Sequence, residues 1–135
     1  VESKVFFILM ALVNCYRFMS ECNLDEHFAG LREIYKKKCG LMLENMDKYF
    51  SKKVSYSKPE GGLFIWATLP EGSNMMDFCT RAVRDYKIAV VPGTAFMINE
   101  TDKTNSFRLN FSTPTDEQIV KGIEILGNMT KEILD

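Results

Sequence analysis

Ser106-Phe107-Arg108-Leu109-Asn110-Phe111-Ser112 alternates strictly between polar and apolar residues. A period of two belongs to a strand with one face on a core and the other toward solvent. Phe107, Leu109 and Phe111 take the core side, and Ser106, Arg108, Asn110 and Ser112 take the other. One arginine therefore stands in the middle of a sheet's polar face. Its planar fork of donors matches the two oxygens of a carboxylate, so it can act as a two-pronged receptor. The competing reading is a surface arginine paired with an acid on a neighbouring strand, and alternation alone leaves it open.

The surrounding sequence supplies the rest of a layer around this strand. Upstream, 88–91 reads as a short buried strand closed by Pro92-Gly93, and 99–105 as a polar, mobile loop. Residues 63–69 are aromatic and aliphatic, as in a central strand. The turn Lys58-Pro59-Glu60-Gly61-Gly62 feeds that strand, and a shorter strand is expected at 54–57. Gly61, Gly62 and Gly93 answer backbone needs, positive φ or close approach, better than they would bind a ligand. Pro70-Glu71-Gly72-Ser73 ends the central strand. Ser73 or Asn74 can then cap a helix to about Tyr86 that buries Met76, Cys79, Ala82 and Val83.

Downstream, Thr115-Asp116-Glu117-Gln118 fits a capping box, with Ile119, Ile123, Leu126 and Ile133 as the inner stripe of a last helix. A long amphipathic helix starts near Asn23-Leu24-Asp25-Glu26, its acids favoured by the helix dipole. Phe28, Leu31, Tyr35, Met42, Met46 and Tyr49 share one face of it, and Gly40 weakens it by about 1 kcal/mol relative to Ala. Before it, 2–21 reads as a helix apolar nearly all round at its start, which needs partners on more than one side. The order helix, helix, strand, strand, helix, strand, strand, helix predicts an α+β fold. Its small sheet is mainly antiparallel, with helices packed on one side.

The 135 residues suffice for one core of ordinary size, and 46% apolar with 26% charged residues is a globular composition. A formal net charge of -1 leaves no basic field for nucleic acid. Lys36-Lys37-Lys38 lies in a helical pattern and reads as a solvated face. Cys15, Cys22, Cys39 and Cys79 show no zinc-ligand spacing and read as reduced, mostly buried thiols of a cytoplasmic protein. Cys39 acting as a nucleophile with His27 is the less favoured alternative. The apolar run 5–13 is shorter than the roughly 20 residues a bilayer span needs. Glu2 and Lys4 precede it and no small-residue cleavage pattern follows, which argues against a signal peptide. The start at Val1 reads as that of a piece cut from a longer protein.

Five segments, in order, carry a resemblance: Asn23-Leu24-Asp25-Glu26-His27, Leu31-Arg32-Glu33-Ile34-Tyr35, Pro59-Glu60-Gly61-Gly62, Val91-Pro92-Gly93-Thr94-Ala95-Phe96 and Arg108-Leu109-Asn110-Phe111-Ser112. Each alone is unspecific. Together, over about 24–126, they resemble the C-terminal small domain of fold-type I (class I/II) pyridoxal-phosphate-dependent aminotransferases, nearest the 2-aminoadipate and aromatic amino-acid branch. The aminotransferase-like modules of bacterial transcription regulators are also similar.

The resemblance implies that Arg108 binds the α-carboxylate of the substrate and that Phe64 lies near the substrate pocket. An ordinary core aromatic remains the other reading of Phe64, and Trp66, on the same face, reads as packing. The resemblance also implies that residues 1–22 link to a large domain and that 23–135 form the small one. The Schiff-base lysine, the aspartate facing the pyridine nitrogen and most phosphate ligands of the family belong to that large domain. No residue of this chain is thus assigned a catalytic role, no metal is implied, and the chain alone is expected to be inactive. Implied partners are amino acid and 2-oxo acid substrates, the protein's own large domain and a second subunit of a homodimer. An effector-sensing module of a transcription regulator is the alternative, and a free interaction module whose first helix dimerises is a third.

Overall fold

A computed structural model describes residues 2–99 and 103–135. The chain forms two compact units, Val1–Ile34 and Tyr35–Asp135. The first holds α1 (Glu2–Glu21) and the start of α2 (Leu24–Tyr49). From Lys4 onward every residue of α1 is exposed, Val5, Phe6, Phe7 and Ile8 among them. At the turn into α2, the Asn23 side chain accepts from the Glu26 N–H at 3.3 Å. Phe18 meets His27 edge-on with ring centres 5.3 Å apart. Among the described residues no single helix is long and apolar enough to cross a membrane.

The second unit is a layer of helices on one face of an antiparallel sheet. Its strands are β1 (Ser55–Tyr56), β2 (Phe64–Thr68), β3 (Val91–Pro92) and β4 (Ser106–Asn110), in the spatial order β1-β2-β4-β3. Both central strands alternate as the sequence requires. Ile65 and Ala67 of β2, with Phe107 and Leu109 of β4, are buried against the helices. Three helices cover them: the later turns of α2, α3 (Met75–Tyr86) and α4 (Asp116–Leu134). Phe78 of α3 packs on Phe107 with ring centres 5.1 Å apart. The predicted α+β architecture is present.

Several expectations need correction. The buried stripe of α3 is Met75, Phe78, Cys79 and Ala82, while Met76 and Val83 are exposed. Both stripes have helical spacing, and contact of Phe78 with the sheet selects the first. Asn74 is the N-cap, accepting from the Asp77 N–H at 3.1 Å. At the other end Lys87 takes φ 60° and the Ile88 N–H bonds back to the Ala82 carbonyl. This left-handed cap uses the N–H that a strand beginning at Ile88 would need, so β3 is confined to Val91–Pro92. Pro92 sits on the sheet's edge strand, where a missing donor is tolerated.

On α4 the capping box is formed: Thr115 Oγ1 accepts from the Gln118 N–H, and Gln118 Oε1 from the Thr115 N–H. Ile119, Ile123 and Leu126 are buried as expected, but Ile133 is exposed and Met129 and Thr130 take its place. Thr130 Oγ1 accepts from the Ser51 N–H at 3.0 Å and donates to the Gly127 carbonyl at 2.6 Å. A buried hydroxyl there satisfies a backbone donor at the end of α2. Next to it, Gly127 lies so close to Tyr49 that an added Cβ would come 2.6 Å from the tyrosine Cβ.

Phe28 is also exposed, unlike Met42 and Met46 farther along its stripe. The thiols are not mostly buried either. Cys15 and Cys22 are exposed and Cys39 half-buried, leaving Cys79 as the buried one. Nor is Lys36-Lys37-Lys38 simply solvated. Lys38 Nζ donates to the carbonyls of Ser112 and Pro114 at 3.0 and 2.6 Å, tethering α2 to the connection before α4. Lys37 pairs with Asp116 at 2.7 Å and holds its carboxyl below the usual range. The loop expected to be mobile at 99–105 falls partly on 100–102, outside the described residues.

Candidate functional site

Register decides what shares the open face of the sheet. Trp66 of β2 and Val91 of β3 are both paired with Arg108 of β4, and Phe64 is paired with Asn110. Because pairs across antiparallel strands point to the same side, Phe64, Trp66 and Arg108 stand together on the face away from the helices. Thr68 and Ser106 end this row with their hydroxyls 2.8 Å apart. Asn110 turns its side chain toward the residues just after β4, accepting from the N–H and hydroxyl of Ser112, both at 2.7 Å.

Arg108 is half-buried, and its guanidinium carbon lies 3.9 Å from the centre of the Phe64 ring and 4.6 Å from that of Phe96. Phe96 ends a single 3-10 turn, Gly93–Phe96, that follows β3 directly. Trp66 meets Phe96 edge-on at 5.2 Å between centres. The turn can settle against β4 because Gly93 has no side chain. A Cβ there would come 2.5 Å from the Ser106 carbonyl oxygen and 2.9 Å from Thr104 Cγ2. β4 is anchored at its start by the Asn105 amide, which donates to the Pro70 carbonyl at 3.1 Å.

Among the described residues no acid pairs with Arg108 and no oxygen accepts from it. The paired-arginine reading is therefore not realised there. Aromatic faces attract a guanidinium without using its N–H donors. The fork remains able to take a planar anion, and partial burial strengthens the attraction relative to open water. Phe64 belongs to this cluster and not to the core, and Trp66 packs on Phe96. Sequence reading assigned no role to Phe96. Its segment was legible, but nothing periodic in it says where the ring lands.

Other features are chemically quieter. A groove of about 570 Å³ runs between α4, β4 and 87–90, lined by Ile88, Leu109, Gln118 and Ile123 among others, and does not include Arg108. Burial pushes the Cys39 thiol pKa up, the opposite of what a nucleophilic cysteine needs. Among the described residues no cluster of His, Cys, Asp or Glu could hold a metal ion.

Residues 8–126 match the family of class I and II aminotransferases. Aromatic-amino-acid aminotransferase 1 of Thermococcus litoralis is 37% identical over 120 residues, 89% of this chain and 28% of its own. Among solved structures, the kynurenine aminotransferase of Pyrococcus horikoshii aligns with a TM-score of 0.80 at 36% identity, over 89% of this chain and 29% of that one. LysN, the alpha-aminoadipate aminotransferase of Thermus thermophilus, aligns with a TM-score of 0.77 at 33% identity, over 82% and 28% of the two chains. It was solved with N-(5'-phosphopyridoxyl)-L-leucine. The chain thus spans less than a third of the length of these relatives.

Proposed function

The chain belongs to the class I and II aminotransferases, and we propose that it is the C-terminal domain of an enzyme that moves an amino group between an amino acid and a 2-oxo acid. In this reading Arg108 binds the α-carboxylate of the substrate and Phe64 borders the same site. The observation that carries it is a half-buried guanidinium, held over two aromatic rings and without an anionic partner among the described residues. Two parallel charge-assisted bonds to a carboxylate would fix the rotation of the amino acid about its Cα. That orientation decides which Cα bond is aligned for cleavage, and supplying it in advance lowers the entropic part of the barrier.

Pyridoxal phosphate is the cofactor of this reading, supported by the phosphopyridoxyl-leucine carried by LysN. The residues around Arg108 do not themselves fit it. Phe64 and Phe96 can neither form an imine nor hold a phosphate. In keeping with the family resemblance, the proposal gives the cofactor to a large domain outside this chain and includes the second subunit of a homodimer. This chain alone would bind and orient but not catalyse.

The test is Arg108→Lys in the full-length protein, which keeps the charge and loses the fork. KM for the amino acid should rise and kcat/KM should fall by about 2–4 kcal/mol of transition-state stabilisation. Steady-state kinetics unchanged within twofold would dispose of the assignment.

A further inference from the structure

A guanidinium at the end of a long side chain samples many rotamers, and each one lost on binding weakens the complex. At Arg108 two aromatic rings contact the guanidinium. Phe64, on its own sheet face, gives one ring beneath the guanidinium carbon. The second ring is Phe96, which reaches the same carbon from outside the sheet, on the turn Gly93–Phe96. Phe96 is in turn met edge-on by Trp66, the residue directly opposite Arg108 in the ladder. The closeness of this turn to β4 depends on the missing side chain of Gly93.

We propose that Phe96 is a positioning residue: braced by Trp66 and carried by the Gly93 turn, it holds the Arg108 guanidinium in the orientation that receives the substrate carboxylate. This rests on the reading of Arg108 as the α-carboxylate receptor and adds to it what keeps the receptor preorganised. The ring offers Arg108 no acceptor, so the N–H donors remain available to the carboxylate. Phe96 itself is 45% exposed, so its contribution to the core is modest and its removal leaves the fold in place.

The experiment compares Phe96→Leu, Phe96→Tyr and Arg108→Lys in the full-length protein, with the amino acid substrate and with the 2-oxo acid as an inhibitor competing with it. Phe96→Leu is expected to raise KM and the inhibition constant together by about fivefold, with kcat within about twofold of the parent. Phe96→Tyr keeps a ring face over the guanidinium and should restore both constants to within about twofold of the parent. Circular dichroism of Phe96→Leu should match the parent.

Three outcomes overturn the proposal. The first is an unchanged KM in Phe96→Leu while Arg108→Lys raises it, which leaves Arg108 as the receptor but removes Phe96 from its support. Phe96→Tyr could fail to rescue, which denies the ring-face argument. Finally, if Arg108→Lys also leaves KM unchanged, the carboxylate reading itself has failed and the positioning role goes with it.

Discussion

Arg108 and Phe64 touch along a diagonal of the sheet: the register pairs Arg108 with Trp66, yet its guanidinium carbon lies 3.9 Å from the centre of the Phe64 ring. The side chain leans along its strand by one same-face position, a reach open to a long arginine. The contact is partly exposed and is worth about 0.5–1 kcal/mol. A double-mutant cycle of Phe64→Leu and Arg108→Met, read from urea unfolding midpoints, should return a coupling of that size. A coupling indistinguishable from zero would mean the ring and the guanidinium do not stabilise each other.

Two glycines on α4 should respond oppositely to the same substitution. An alanine Cβ at 122 would meet nothing within 4 Å, whereas at 127 it would meet Tyr49 Cβ at 2.6 Å and the tyrosine backbone at 2.7 Å. Gly122→Ala should stabilise by up to about 1 kcal/mol through helix propensity. Gly127→Ala should destabilise by about 1–3 kcal/mol, because two helix backbones must separate and overpacking outweighs propensity. Denaturant midpoints of the two variants moving in the same direction would contradict the packing of α4 on the end of α2.

Burial pushes the Cys79 thiol up to about 11 from an ordinary 9.0. In the unfolded chain the thiol loses its proton near 9.0, while the folded protein keeps it to about 11. Within that window the unfolded state binds fewer protons, so stability falls as pH rises. Below 9.0 the contribution is fully present. Comparing parent and Cys79→Ala unfolding free energies at pH 8 and above should show a steeper alkaline decline in the parent. Parallel curves would mean that Cys79 titrates alike in both states.

The contrast between α3 and α4 shows how far local reading extends. The Thr115 capping box lies within four consecutive residues, so its chemistry was legible before any packing was known. The buried face of α3 was not legible, because two apolar stripes had helical spacing and only contact with Phe107 separated them. On α4, likewise, the apolar stripe points to Ile133, whereas Thr130 is the residue that is buried. A hydroxyl in an apolar stripe counts against burial until the distant Ser51 N–H that it satisfies is seen.

By itself the sequence determined the main helices and strands, the capping box of α4 and the face on which Arg108 stands. Alternation and capping act between residues one to four apart, and no tertiary contact is needed to express them. Tertiary structure alone decided that Phe96 lies over Arg108 and that Gly93 and Gly127 are points of close approach. It also decided that Lys38 ties α2 to the chain before α4. Each of these joins segments far apart in the chain, where close packing and hydrogen-bond satisfaction choose among arrangements that local preference leaves equal.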